Sequence, residues 1–193
     1  MKTVQNLIVV AAAMALLGAS GAEGGGTLAD HEVTIYGSAN IKSWSAKVHQ
    51  LDVISELLVE DGQLTEIRKM RVEIDVEAIE GSDGRAMTRD LHETFDKENH
   101  PRIVFEMKEI LELEAVENGY RIRASGELSM AGHTRTIELE VDGEVPDDGK
   151  IEFSGTKTLL MTDWEMSPPT ALLGVLRTRD EVEVEFRIVV AHD

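Results

Sequence analysis

From Arg71 to Ala78 apolar and charged residues alternate without a break, with Val72, Ile74, Val76 and Ala78 set against Arg71, Glu73, Asp75 and Glu77. The same period of two returns at Ile103, Phe105 and Met107, at Leu111 and Leu113, and at Tyr120, Ile122, Ala124 and Leu128. It appears again at Ile137, Leu139 and Val141, and from Val182 through Val184, Phe186 and Ile188 to Val190. Successive side chains of a strand point to opposite faces, so each run predicts a strand with one dry and one wet side. A sheet of such strands needs a cover for its dry side. Almost no helix is available for that purpose, and the sheet is therefore expected to close on itself.

Val33, Ile35, Gly37, Ala39 and Ile41 predict a first strand; the apolar parity then shifts to Trp44, Ala46 and Val48, which predicts a bulge or bend near Ser43. Leu51 to Glu60 follows, and Asp61-Gly62 is a tight-hairpin signal into a long strand running to about Ile79. Asn118-Gly119, Ala131-Gly132 and Asp147-Asp148-Gly149 mark later turns between alternating segments, so sequence neighbours are expected to pair antiparallel. Roughly eight strands result, the number at which a closed barrel is just wide enough for packed side chains or one small ligand. One stretch departs from the pattern. Between Asp83 and Asn99 the apolar residues Met87, Leu91 and Phe95 fall four apart, as on one face of a helix, and Pro101 sets its limit. The expectation is an all-β, closed, antiparallel up-and-down barrel of about eight strands with one short amphipathic helix near a barrel end.

Met1-Lys2, the apolar run Leu7 to Leu17 and the small residues Gly18 to Ala22 have the order of a secretory signal peptide over residues 1–22, cleaved before Glu23. The apolar run falls short of the ~20 residues that a spanning helix needs, so no stable membrane insertion is expected after cleavage. The protein is expected to be periplasmic or secreted. Gly24-Gly25-Gly26 reads as part of a flexible leader over residues 23–31. Without cysteine the chain has no disulfides, and its fold must stand on its core alone. With 19 Lys and Arg against 37 Asp and Glu, the net charge of −18 argues against nucleic acid and against anionic lipid surfaces as partners.

Chemistry is sparse. His31, His49, His92, His100, His133 and His192 show no metal-ligand spacing. Ser154-Gly155-Thr156-Lys157 fits an S-x-x-K pattern, but that chemistry needs a helix, and these residues continue an alternating strand from Ile151 and Phe153. The many carboxylates sit mostly on the wet parity of strands. No enzyme activity, no metal and no cofactor is expected.

Phe95-Asp96 followed after four residues by Pro101-Arg102-Ile103-Val104-Phe105 resembles a signature of the YceI-like family of secreted or periplasmic, polyisoprenoid-binding proteins. The run from Gly126 to Thr134 is similar to that family's hairpin, as are Met161-Thr162-Asp163-Trp164, Pro168-Pro169-Thr170, Gly174 and Asp180-Glu181-Val182. The resemblance runs from about Glu32 to Val190. It implies one YceI-like lipid-binding domain over residues 32–193, a lipocalin-like barrel around an apolar cavity that holds a polyprenyl lipid or a quinone tail. Asp90-Leu91-His92 departs from the D-x-H-L sequence of many members, so the cavity is carried over and the head group is not.

On this reading Val72, Ile74, Val76, Ile103, Phe105, Met107, Tyr120, Ile122 and Leu128 would line the cavity, and Met87, Leu91 and Phe95 would cover one end. Trp44, Trp164 and Met161 are further candidates for contact with the ligand. His92, His100 or Arg102 would meet a polar head. The scarcity of aromatic residues, 4% of the chain, is compatible with an interior left open. The protein would hold an isoprenoid or quinone-like amphiphile without covalent chemistry, for transport, storage or sequestration; a homodimer stays open. The competing expectation is a ligand-free interaction or structural module with a packed barrel.

Overall fold

The computed structural model describes residues 22–146, 149–171 and 175–191. Nearly every alternating run becomes a strand. In chain order these are β1 Ala22–Ala39, β2 Ser43–Val48, β3 Asp52–Glu60, β4 Gln63–Asp75 and β5 Ile79–Gly81; then helix α1 Arg85–Thr94; then β6 Arg102–Val116, β7 Gly119–Met130, β8 His133–Glu144, β9 Lys150–Leu160, β10 Thr170–Ala171 and β11 Leu176–Ala191. Short 3-10 turns cover Val76–Ala78 and Met161–Trp164. All pairings are antiparallel, and the ring β1-β3-β4-β6-β7-β8-β9-β11 closes where β11 returns to β1. The expected eight-strand up-and-down barrel is therefore present, with β2, β5 and β10 as additions. Among the described residues, no helix is long and apolar enough to cross a membrane.

Turn chemistry explains the register. Asp61 (φ 51°) and Gly62 (φ 76°) join β3 to β4, and Ala131 (φ 48°) and Gly132 (φ 79°) join β7 to β8. Two central residues at positive φ match the right-handed twist of the strands they connect.

Three local expectations change. The stretch 23–31 lies within β1: Ala22–Gly26 pairs with β3 and Thr27–Ala39 with β11. The glycines suit this close crossing, since a Cβ on Gly26 would stand 2.3 Å from Val190 Cγ1 and 2.4 Å from Ser55 Oγ. The parity change near Ser43 is a full reversal rather than a bend. The chain turns at 40–42, with the Ala39 N–H donating to the Lys42 carbonyl at 2.7 Å, and β2 runs back along β1 from Ser38↔Ser43 to Val33↔Val48. Finally, β4 ends at Asp75. Its partner β6 begins only at Arg102, after Pro101, so the ladder has nothing beyond Asp75↔Arg102. The chain then folds through the 3-10 turn into β5, which leaves the barrel to pair with β2.

Two apolar clusters pack toward the barrel ends. At the helix end Val48, Val76, Ile79, Leu91, Phe95 and Trp164 pack together. At the opposite end Leu57, Leu64, Ile122, Ile151 and Val190 do so. Between the ends the ladder is broken twice. β4 and β6 pair only from Arg71↔Glu106 to Asp75↔Arg102, and the gap beyond is bridged where the Leu64 N–H donates to Tyr120 Oη at 2.9 Å. β8 and β9 pair only through Asp142↔Ser154, Gly143↔Phe153 and Glu144↔Glu152.

The closing seam carries an outer ion bridge over three strands: Arg187 of β11 reaches Asp30 of β1 and Glu152 of β9, each at 2.8 Å. The Arg187 hydrogen bond holds the Asp30 carboxyl below its usual 3.8. A depressed folded value stabilises the protein above pH 3.8, and the contribution is lost as pH falls through the lower folded value. Arg187→Met is expected to flatten the acid limb of stability against pH, measured as urea midpoints between about pH 5 and pH 2. An unchanged limb would show that the bridge is not coupled to folding.

Candidate functional site

The inward parity of the eight-strand ring converges on a cavity of about 230 Å³, lined almost wholly by apolar side chains. Its wall is built by alternation. Val33 and Ile35 come from β1, Met70, Val72 and Ile74 from β4, and Ile103, Phe105 and Met107 from β6. Across the lumen, β7 contributes Ile122, Ala124, Leu128 and Met130, and β11 contributes Val182, Val184, Phe186 and Ile188. A volume below the ~300–1,000 Å³ of ordinary small-molecule pockets suits a slim, flexible chain better than a rigid polycycle.

Glycines give the wall its shape at two points. Gly37 lies under the Trp44 indole, where a Cβ would approach Cζ2 to 2.1 Å. Gly126 lies under the Phe105 ring, where a Cβ would stand 2.5 Å from Cε2. Both rings are thereby held flat against the barrel and leave the lumen free.

Of the residues singled out in the sequence, the structure brings Trp44, Val72, Ile74, Ile103, Phe105 and Met107 to the wall, together with Leu91, Phe95, Ile122, Leu128 and Met161. Four others stand elsewhere, each for a local reason. Val76 is fully buried in the 3-10 turn that ends the β4 ladder. Met87 packs on Gly81 of β5, where a Cβ would meet its Cγ at 2.7 Å, so this end of the α1 stripe covers the added hairpin rather than the lumen. Tyr120 is drawn across the β4–β6 gap by the Leu64 hydrogen bond. Trp164 is a plug, 2% exposed, its Nε1–H donating to the Leu128 carbonyl at 2.9 Å.

None of the three expected head-group residues reaches the cavity. His92 faces an outer groove with His49 and Glu80, its Nε2 3.0 Å from the Ile79 carbonyl. His100 lies against Gly132 and 3.7 Å from Asp96. Arg102 falls on the wet parity of β6, paired with Glu73 at 3.2 Å and Asp75 at 3.3 Å. The remaining described histidines are dispersed; His49 meets Glu80 and His133 meets Glu165, while His192 lies outside the described residues.

Sequence reading also passed over wall residues of β8, β9 and β11, among them Ile137, Leu139 and Leu159. Their alternation was the available signal. Ser154 and Lys157 stand on opposite faces of β9, because an offset of three along a strand reverses the side. Lys157 lines the cavity with Phe153 and Leu159; Ser154 does not.

The sequence model of the YceI-like domain matches residues 27–190. Among curated proteins none matches. Several solved structures share the fold. A Burkholderia cenocepacia protein, BcnA, is 17% identical with a TM-score of 0.62, covering 82% of this chain and 95% of its own. A polyisoprenoid binding domain from Saccharophagus degradans, implicated in plant cell wall breakdown, is 10% identical with a TM-score of 0.65, covering 89% and 99%. The Campylobacter jejuni YceI protein is 19% identical with a TM-score of 0.58, covering 77% and 84%.

Proposed function

This chain belongs to the YceI-like domain family, and from that premise we propose that its barrel binds the tail of a polyisoprenoid or similar long-chain amphiphile without covalent chemistry. The observation that carries the reading is the cavity: an apolar lumen of about 230 Å³, with Gly37 and Gly126 lying under two aromatic rings of its wall. The fold shared with a polyisoprenoid binding domain supports the same ligand class. Each methylene buried there contributes about 0.8 kcal/mol, so about ten carbons of tail supply roughly 8 kcal/mol, comparable with the loss of translational and rotational freedom on binding. Carriage or sequestration in the periplasm or outside the cell, after removal of an N-terminal signal, is the setting this chemistry fits. A quinone tail and a polyprenyl lipid satisfy the wall equally.

Native mass spectrometry of protein purified without detergent, followed by extraction, tests the proposal. The expected result is a stoichiometric adduct that releases a polyprenyl or quinone-like mass. A bare protein mass that stays bare when isoprenoids are added overturns it in favour of a packed module.

A further inference from the structure

Two turns at the helix end of the barrel are clamped into one tip. Asn40, between β1 and β2, donates its backbone N–H to the Arg177 carbonyl at 3.1 Å and its Nδ2 to the Val175 carbonyl at 2.8 Å. Its Oδ1 accepts the Arg177 N–H at 3.0 Å. The Thr178 N–H donates to the Pro169 carbonyl at 3.0 Å, which ties the chain before β10 to the same place. Lys42 meets Asp83 just before α1, so tip and helix share one end of the barrel.

The side chains carried on this clamp are apolar and in water. Ile41 is 64% exposed and Val175 62%, the two highest values among the large hydrophobic residues described. Elsewhere an exposed apolar residue stands beside charge, as Ile54 does opposite Arg71 and Tyr36 opposite Glu183. Single residues of that kind need no explanation, whereas two on clamped neighbouring turns mark a contact surface. The tip also adjoins the cavity. Leu160 ends β9 opposite Glu181 of β11, lines the cavity and is 40% exposed; Pro169 lines the cavity too.

Charge selects the partner. The described residues of the tip, 39–42, 167–170 and 175–179, hold Lys42, Arg177 and Arg179 and no carboxylate, in a chain with 37 Asp and Glu. The next carboxylate, Asp180, accepts from the Thr162 N–H and Oγ1–H at 2.9 and 2.6 Å. Aliphatic side chains flanked by cations suit the interface of a bilayer, where acyl chains lie beneath phosphates. The net charge of −18 disfavours an anionic membrane, so a zwitterionic one fits the whole molecule.

We propose that this tip docks the protein on a zwitterionic phospholipid bilayer, with Ile41 and Val175 entering the interface and the basic side chains meeting lipid phosphates. The proposal deepens the tail-binding reading and rests on it for its purpose: a water-insoluble tail has to be taken from a lipid phase. Docked in this way, the Leu160 and Pro169 side of the cavity wall faces that phase.

Co-sedimentation with phosphatidylcholine vesicles tests the docking, with calorimetric binding of farnesol from solution as the parallel readout. The expected result is at least about tenfold weaker vesicle binding by the Ile41→Ser/Val175→Ser double variant, with farnesol affinity unchanged. Ile54→Ser, an equally exposed position away from the tip, should bind vesicles as the wild type does. In Val175→Trp the added indole should shift its emission to the blue on vesicles, a signal that does not depend on the serine variants. Wild-type protein that stays in the supernatant, or a double variant that sediments as well as wild type, overturns the docking and leaves the tail reading standing. A wild-type dimer in light scattering that the double variant converts to monomer gives the tip to a second copy of the chain and equally overturns it. Vesicle binding without any farnesol binding overturns the tail reading and leaves the docking.

Discussion

Trp164→Ala is expected to lower the unfolding free energy by about 3–5 kcal/mol, on the order of 10 °C in Tm for a domain of this size. Trp164 is the largest fully buried side chain of the described residues, set in a 3-10 turn and belonging to the same apolar cluster as Met130, Met161, Met166 and Phe95. Truncation leaves a cavity at the barrel end and strips the Leu128 carbonyl of its donor, and both costs fall on one site. Trp164→Phe separates them. It keeps a ring in the plug and loses only the hydrogen bond, so about 1–2 kcal/mol is expected. Thermal unfolding followed by circular dichroism reads both variants. A fall of less than about 2 °C in the alanine variant would mean that the turn does not seal the barrel.

The contrast between the two tryptophans shows what the sequence could and could not say. Both stand next to strand ends, and nothing local distinguishes a plug from a wall. The difference is tertiary: Trp164 finds a carbonyl across 36 residues of sequence, whereas Trp44 lies flat on Gly37 of the neighbouring strand. The alternating runs were legible because burial on one face writes a period of two into the chain, and the positive-φ turns at Asp61-Gly62 and Ala131-Gly132 were legible from their residue types. The helix was legible too, though Met87 turned out to serve the β2–β5 addition, since the four-residue spacing specifies a face and not what it meets.

Polar members of the site were the least readable. His92, His100 and Arg102 attracted notice because they flank a motif, yet each has a partner outside the lumen. Lys157 sat inside a chance S-x-x-K match, and its inward parity was visible in the run from Ile151 through Phe153. What could not be read was the loss of pairing between β8 and β9, because alternation sets which face a residue takes and leaves open which neighbour its backbone finds.

Ala124→Phe is expected to abolish tail uptake, by far more than tenfold, while shifting unfolding free energy within about 1–2 kcal/mol. Phe105 looks the more obvious place to fill the lumen, but its ring already rests on Gly126, and a larger ring there would press on β7 instead of projecting inward. Ala124 has no such constraint. It is buried on the wall between its strand partners Ile110 and Leu139, and it is the smallest side chain lining the cavity. A benzyl group added at that point extends into a lumen of only about 230 Å³ and occupies the path between the two end clusters. Filling apolar void restores dispersion contacts that the open wall lacks, which offsets the strain of the larger ring. The measurement pairs isoprenoid uptake by native mass spectrometry with urea unfolding. Wild-type uptake by a folded Ala124→Phe protein would place the tail outside the barrel, and a variant that loses both uptake and stability would show that the lumen has no room to spare.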